Sequence, residues 1–212
     1  YKRSLNMFKK IVAFGAHPDD IEIGCFGTIN NFALNGAIVD VFVATGAINR
    51  VDETKKAFSH FHENVNLHFL NYQNNHIAYD AKTIQDIDRR LDVISPDLVI
   101  THWVGDNQQD HQNMAKSVIT ACRKRDNIWM MEPPIGRPAV EGIFKPNIFV
   151  DISNQVIQKD LAIRCHKSQI SKLDVTKEYN PWTARNFIHG IGIRTDAAEA
   201  FEAVKQTIRF AK

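Results

Sequence analysis

Unbroken apolar runs, rather than alternating ones, punctuate the first half of this chain. Ile11-Val12-Ala13-Phe14, Ile38-Val39-Asp40-Val41-Phe42-Val43 and Asp97-Leu98-Val99-Ile100 each read as a strand. A strand that is apolar at successive positions must be covered on both faces, which is the signature of a parallel sheet between helices. Between these runs the spacing turns helical. Ile21, Ile23, Phe26, Ile29 and Ala33 precede the helix stop Asn35-Gly36, and Ala57, Phe58, Phe61 and Val65 share a face of a helix from about Val51. Leu67 to Leu70 reads as a short third strand. Ile84, Ile87, Leu91 and Ile94 mark the next helix, which Ser95-Pro96 stops because proline disfavours α geometry in the residue before it.

A further helix starts at His111, with Met114, Val118, Ile119 and Cys122 in register. Residues 128–146 hold four prolines and two glycines and read as an irregular segment or lid. Residues 148–152 read as a strand, 155–167 as a helix, and the remainder as mixed. The succession predicts a single α/β domain, Rossmann-like, with a largely parallel sheet and helices on both faces.

In such sheets, chemistry collects at the carboxyl ends of the strands. Two strand ends here carry it. Ile11-Val12-Ala13-Phe14 leads into Ala16-His17-Pro18-Asp19-Asp20, and Asp97-Leu98-Val99-Ile100 leads into Thr101-His102 and then Asp110-His111. If the two strands are near neighbours, His17, Asp20 and His111 can meet around a divalent metal such as zinc.

Composition narrows the partners. With 26 basic and 24 acidic residues the net charge is +2, which leaves no electrostatic footprint for nucleic acid. Cys25, Cys122 and Cys165 are too few and scattered for a disulfide framework or a cysteine zinc site, which fits a reducing cytoplasm. No apolar run approaches the roughly 20 residues a membrane span needs. Met7 reads as a natural start, with residues 1–6 a leader of vector origin. Gly24-Cys25-Phe26-Gly27 matches only part of a dinucleotide fingerprint, which weighs against a nicotinamide enzyme.

The segment from Gly15 to Ile29, with its His-Pro-Asp-Asp, spaced glycines and following helix, resembles the signature of the PIG-L/LmbE family of zinc-dependent N-deacetylases. Arg50-Val51-Asp52-Glu53, Asp110-His111, Phe149-Val150-Asp151-Ile152-Ser153, Lys167-Ser168-Gln169 and Ala198-Glu199-Ala200-Phe201 resemble further pieces of it in the same order. The resemblance implies a hydrolase that removes an acetyl group from an N-acetylated amino sugar or sugar conjugate. It makes His17, Asp20 and His111 ligands of zinc, or of another divalent metal such as Fe2+, and Asp19 the general base. It also makes Arg50 a substrate contact and implies a homo-oligomer.

One position departs from the pattern. Many members have His three residues before the last ligand, where this chain has Gln108, and glutamine donates a hydrogen bond but transfers no proton. The acid is then Asp19 after protonation, or one of His102, His166 and His189, with His102 first because it ends a strand beside the site. His166 is otherwise expected to touch substrate.

Several residues keep two readings at this level. Asp110 is either the cap of the helix carrying His111 or a partner that orients a ligand. Arg50 either contacts substrate or pairs with Glu53 at the surface. Trp103, Trp129, Met130 and Trp182 form either a sugar-stacking wall or ordinary packing. Glu22 reads as structural, and His60, His62, His68 and His76 as surface or packing residues. An amidohydrolase for a non-sugar N-acyl compound, and a metal- or sugar-binding protein without turnover, remain as other functions.

Overall fold

A computed structural model describes residues 8–46, 48–134, 139–170 and 180–207. The first three apolar runs form β1 (Lys10–Gly15), β2 (Ile38–Thr45) and β4 (Leu98–Thr101), with β3 (Val65–Tyr72) and β5 (Ile128–Met131) completing the parallel part of the sheet. The strand order is β3-β2-β1-β4-β5-β7-β6. β7 (Ala198–Lys205) runs antiparallel to both β5 and β6 (Ile148–Asp151). The expected α/β architecture is therefore present, with an antiparallel edge added to its parallel half.

The helices cover both faces, as the apolar runs require. On one face α1 (Asp20–Leu34) lays Ile21, Cys25, Ile29 and Ala33 against Ile11, Ala13, Val39 and Val41. On the other, α3 (Ala81–Ile94) and α4 (Gln109–Ala121) set Ile87, Leu91, Met114 and Val118 against Val12, Phe14, Phe42 and Val99. Odd and even positions of β1 thus enter different cores, and each buried aliphatic side chain contributes about 1.5–3 kcal/mol. α2 (Ile48–Phe58) and α5 (Val156–Arg164) join the α1 side through Ala57, Phe26 and Ala162. Among the described residues, no helix is long and apolar enough to cross a membrane.

Three segments differ from expectation. The helix expected from about Val51 to Val65 is α2 (Ile48–Phe58), so Phe61 lies beyond its end and Val65 opens β3. Residues 128–131, expected in an irregular segment, form β5, which pairs with β4 through Val99, Ile100 and Thr101. Its Trp129 packs among Phe8, Phe32 and Phe201 and Met130 is buried, so neither belongs to a sugar-stacking wall. The helix expected over 155–167 breaks at Cys165-His166 into α5 and the short α6 (Lys167–Ile170), and α7 (Pro181–Ile193) follows. Residues 1–6, expected to be a leader, lie outside the described residues.

α1 departs from helical geometry at Cys25 (φ −150°, ψ 18°). Interruption frees backbone N–H groups that must find partners. Gly27 and Thr28 donate theirs to the two oxygens of Glu199 on β7, at 3.0 and 2.8 Å. Lys159 of α5 donates to the same carboxylate at 2.7 Å, and both side chains are almost completely buried. Gly27 is needed for this approach, because a Cβ there would lie 2.5 Å from Ile152 Cγ2.

Removing one member of a buried pair leaves the other charge uncompensated. Glu199→Ala is therefore expected to destabilise the fold by about 3–5 kcal/mol in urea unfolding. A loss below about 1 kcal/mol would show that Lys159 and the freed amides find other partners.

Candidate metal centre

The strand order reverses between β1 and β4, which pair directly through Ile11, Val12 and Ala13. The loop after β1 and the loop after β4 therefore open side by side, at the crevice where parallel α/β sheets hold ligands. The first loop is pinned from both sides. Thr45 of β2 donates its backbone N–H and its hydroxyl to the Ala16 carbonyl at 2.9 and 2.8 Å, and the Ala16 N–H donates to His102 Nε2 at 2.9 Å.

These loops bring His17, Asp20 and His111 together as a buried set whose ligand atoms all lie within 4.8 Å of one another. His17 Nδ1 is 3.3 Å from His111 Nε2, and that nitrogen is 3.3 Å from Asp20 Oδ1. The other nitrogen of each imidazole is held by a carboxylate. His111 Nδ1 meets Asp106 Oδ2 at 2.8 Å and His17 Nε2 meets Asp110 Oδ2 at 3.1 Å. With those outer nitrogens donating to carboxylates, His17 Nδ1 and His111 Nε2 are the nitrogens that face each other beside Asp20 and that present lone pairs once they lose their protons. Two imidazoles and a carboxylate so arranged fit a divalent metal, and carboxylates behind metal-binding histidines orient the rings and raise their basicity.

Asp106 was not singled out by the sequence, although an acid five residues before a candidate ligand histidine, in the same loop, is the signal that identifies it. Asp110 sits in the first turn of α4 but does not cap it. Its oxygens accept from the Asn75 and Ile77 N–H groups at 2.7 and 3.1 Å as well as from His17, so it ties the loop after β3 to the ligand. Gln108 precedes α4, and its N–H donates to Asp106 at 2.9 Å.

Asp19 occupies the left-handed region with φ 102°, a conformation that costs a non-glycine residue of order 1 kcal/mol and that gathers at functional sites. Its Oδ1 accepts from Arg50 Nη2 at 2.9 Å, and the same Nη2 donates to the Pro18 carbonyl. Arg50 is therefore engaged with the loop after β1 rather than with Glu53, which accepts instead from the N–H and hydroxyl of Ser168 at 2.8 and 2.6 Å. Burial and the neighbouring Asp20 charge push the Asp19 carboxyl up to about 7, against the opposing pull of Arg50 and His166.

The remaining histidines are placed differently. His102 stacks on His111 with ring centroids 3.9 Å apart. Burial and the charge of His111 lower its pKa to about 4, so at neutral pH it is a neutral imidazole rather than an imidazolium acid, and its Nε2 accepts from the Ala16 N–H. His166 is fully buried, with Nε2 3.0 Å from Glu22 Oε1. His189 Nε2 lies 2.9 Å from Glu132 Oε2. Trp103 is buried edge-on to Phe144, and Trp182 is half-buried at the start of α7. His68 pairs with Asp40 at 2.7 Å and stacks on Phe42. A cleft lined by Asp20, Ile23, Gly24, His102, His111, Met131, Glu132 and Pro134 opens onto the ligand set.

A buried His-Asp-His centre at the switch point of a doubly wound sheet marks an α/β protein whose donor set fits a metal ion. The family model described as PIG-L, GlcNAc-PI de-N-acetylase, matches residues 12–122, and the chain belongs to that family. A protein of Escherichia coli named uncharacterized deacetylase YaiS is 28% identical over 178 residues, covering 78% of this chain and 94% of its own length. Diacetylchitobiose deacetylase of Thermococcus kodakarensis is 25% identical over 204 residues, 84% of this chain and 76% of its own. Among solved structures, the conserved protein TT1542 of Thermus thermophilus superposes with a TM-score of 0.80 at 19% identity, over 94% of this chain and 96% of that one. GalB of Pseudomonas putida, a 4-carboxy-2-hydroxymuconate hydratase, does so at 0.75 and 17% identity over 96% and 99%. The fold is thus shared with a protein of different activity, and the site must carry the functional argument.

Burial alone would lower the His111 pKa, but the Asp20 charge and hydrogen bonds to Asp106 and Asp20 outweigh it and raise the pKa to about 9. Below that pH a metal must displace a proton, so metal binding is expected to release protons and to tighten as pH rises toward 9. Calorimetric titration of metal-free protein with zinc, in buffers of different ionisation enthalpy, reads both. Affinity independent of pH with no proton release would contradict the ligand assignment.

Proposed function

We propose that this protein is a zinc-dependent hydrolase that removes the acetyl group from an N-acetylated amino sugar or sugar conjugate. The observation that carries this reading is the convergence of His17 Nδ1, Asp20 Oδ1 and His111 Nε2 next to an Asp19 carboxyl whose pKa is pushed up to about 7. The family match and the named deacetylase relatives support it.

His17, Asp20 and His111 would hold the ion, a three-ligand set of the kind catalytic metal sites use. A divalent metal bound there supplies Lewis-acid polarisation of the acyl carbonyl and acidification of water. Asp19, one residue from a ligand and near neutral in pKa, accepts a proton from the attacking water as the new C–O bond forms at the acetyl carbon. Protonated Asp19 then returns that proton to the departing nitrogen as the C–N bond breaks, so that amide and water become amine and acetate. This second role follows from the placement of the other groups. Gln108 has no proton to transfer, His102 is neutral and tied to Ala16, His166 is enclosed with Glu22, and His189 is engaged by Glu132. Arg50 fixes the orientation of the Asp19 carboxylate through Nη2, which also donates to the Pro18 carbonyl. His102 acts as a support, keeping the His111 ring and the loop after β1 in place.

Asp19→Asn should retain zinc and lose about 10²–10⁴-fold in kcat, measured as acetate release with metal content in parallel. Full activity in that variant would remove Asp19 from the mechanism. His111→Ala should abolish stoichiometric zinc binding, and tight zinc retained by that variant would overturn the ligand set.

A further inference from the structure

Glu132 follows β5 at the same carboxyl end of the sheet and lines the cleft together with Asp20, Gly24, His102 and His111. α7 fixes it. Glu132 Oε2 lies 2.9 Å from His189 Nε2 and 3.2 Å from Arg185 Nε, while Arg185 Nη2 donates to the Glu132 carbonyl at 3.1 Å and Nη1 to the Pro133 carbonyl. Arg185 is only 6% exposed, whereas the Glu132 side chain keeps 22% of its surface open. Its second oxygen, Oε1, makes no hydrogen bond among the described residues.

Among the described residues the hydrogen bonds of this buried arginine go to Glu132 and Pro133, and a buried guanidinium is costly unless its partner is fixed, so α7 orients this carboxylate. Burial would raise the Glu132 carboxyl, but His189 and Arg185 hold it below its ordinary value, leaving an ionised group that only accepts hydrogen bonds. Its charge is already matched by the guanidinium. What it offers the cleft is therefore a directed acceptor rather than an anionic hole for a cation, and the ligand chemistry that suits it is a neutral hydroxyl donor.

We propose that Glu132 is a specificity-determining residue whose Oε1 accepts a hydrogen bond from a ring hydroxyl of the N-acylated substrate, with Arg185 and His189 as its positioning residues. This rests on the sugar deacetylase reading and deepens it, because a plain N-acyl amine has no group for this acceptor.

The test uses the full chain loaded with zinc, N-acetylglucosamine as the sugar probe and N-butylacetamide as a probe without hydroxyls. Glu132→Ala is expected to lower kcat/KM on the sugar about tenfold more than on the plain amide, mostly through KM, as loss of one hydrogen bond to a charged acceptor does. Glu132→Gln should recover most of that selectivity, since a hydroxyl can turn to accept from the amide. Glucosamine binding, followed by NMR, provides a readout independent of turnover and should weaken about tenfold in Glu132→Ala. Equal losses on both probes, failure of Glu132→Gln to recover selectivity, or glucosamine binding that is absent or unchanged would each overturn the proposal. If Glu132→Ala does not fold, monodeoxy N-acetylglucosamines with the unaltered enzyme decide it: one hydroxyl should matter about tenfold, and uniform turnover would overturn it. No turnover of any N-acetylated sugar, with Glu132-dependent glucosamine binding kept, would defeat the deacetylase reading alone.

Discussion

Parallel pairing of β1 with β4 is the constraint on which the rest of the site depends. The two strands are nearly ninety residues apart in sequence, yet Ile11 lies opposite Leu98 and Ala13 opposite Ile100, so their carboxyl ends finish level. Because the strand order reverses at this pair, helices leave to opposite faces and a crevice stays open between the two loops. α1 departs on one face with Asp20 at its start, and α4 departs on the other with His111 in its first turn. The ligands can then approach from both sides without either helix blocking the other.

Within that frame, carboxylates divide the work. Asp20 faces His111 and His102, whose imidazoles hold it well below the usual carboxylate range despite its burial. Asp106 and Asp110 each occupy the outer nitrogen of one ligand imidazole, which decides the tautomer and aims the inner nitrogen. Asp19 is separated from these by its left-handed backbone, which turns its carboxylate toward Arg50 while burial and Asp20 raise its pKa. Adjacent aspartates thus shift in opposite directions, because imidazoles face Asp20 while burial and the Asp20 charge outweigh the pull of Arg50 on Asp19. Away from this centre, the buried Glu199 and Lys159 pair completes the hydrogen bonding of the interrupted α1.

Much of this was legible in the sequence because it is local. Apolar runs identify β1, β2 and β4, and the segments that follow β1 and β4 carry His17, Asp20 and His111. What escaped has a long-range cause. Ile128-Trp129-Met130-Met131 is a short apolar run like that of β1, but the prolines that follow it mask the signal, and pairing with β4 and β7 makes it a strand. Ala198-Glu199-Ala200-Phe201 is rich in helix-forming residues, yet pairing with β5 and β6 outweighs that local preference. The kink at Cys25 follows from the demand of Glu199 and Ile152 on the helix backbone, which no periodicity within α1 reveals. Glu132 was hidden for the same reason, since its partners Arg185 and His189 lie more than fifty residues away.

The central claim is that a metal held by His17, Asp20 and His111 enables hydrolysis of an acetamide on a sugar. It is tested most directly by measuring acetate release from N-acetylated sugars and nucleotide sugars, using metal-stripped protein before and after addition of one equivalent of zinc. The account predicts no release before addition and sustained release after it. No release with one equivalent of zinc bound, or equal release from the metal-stripped protein, would contradict it.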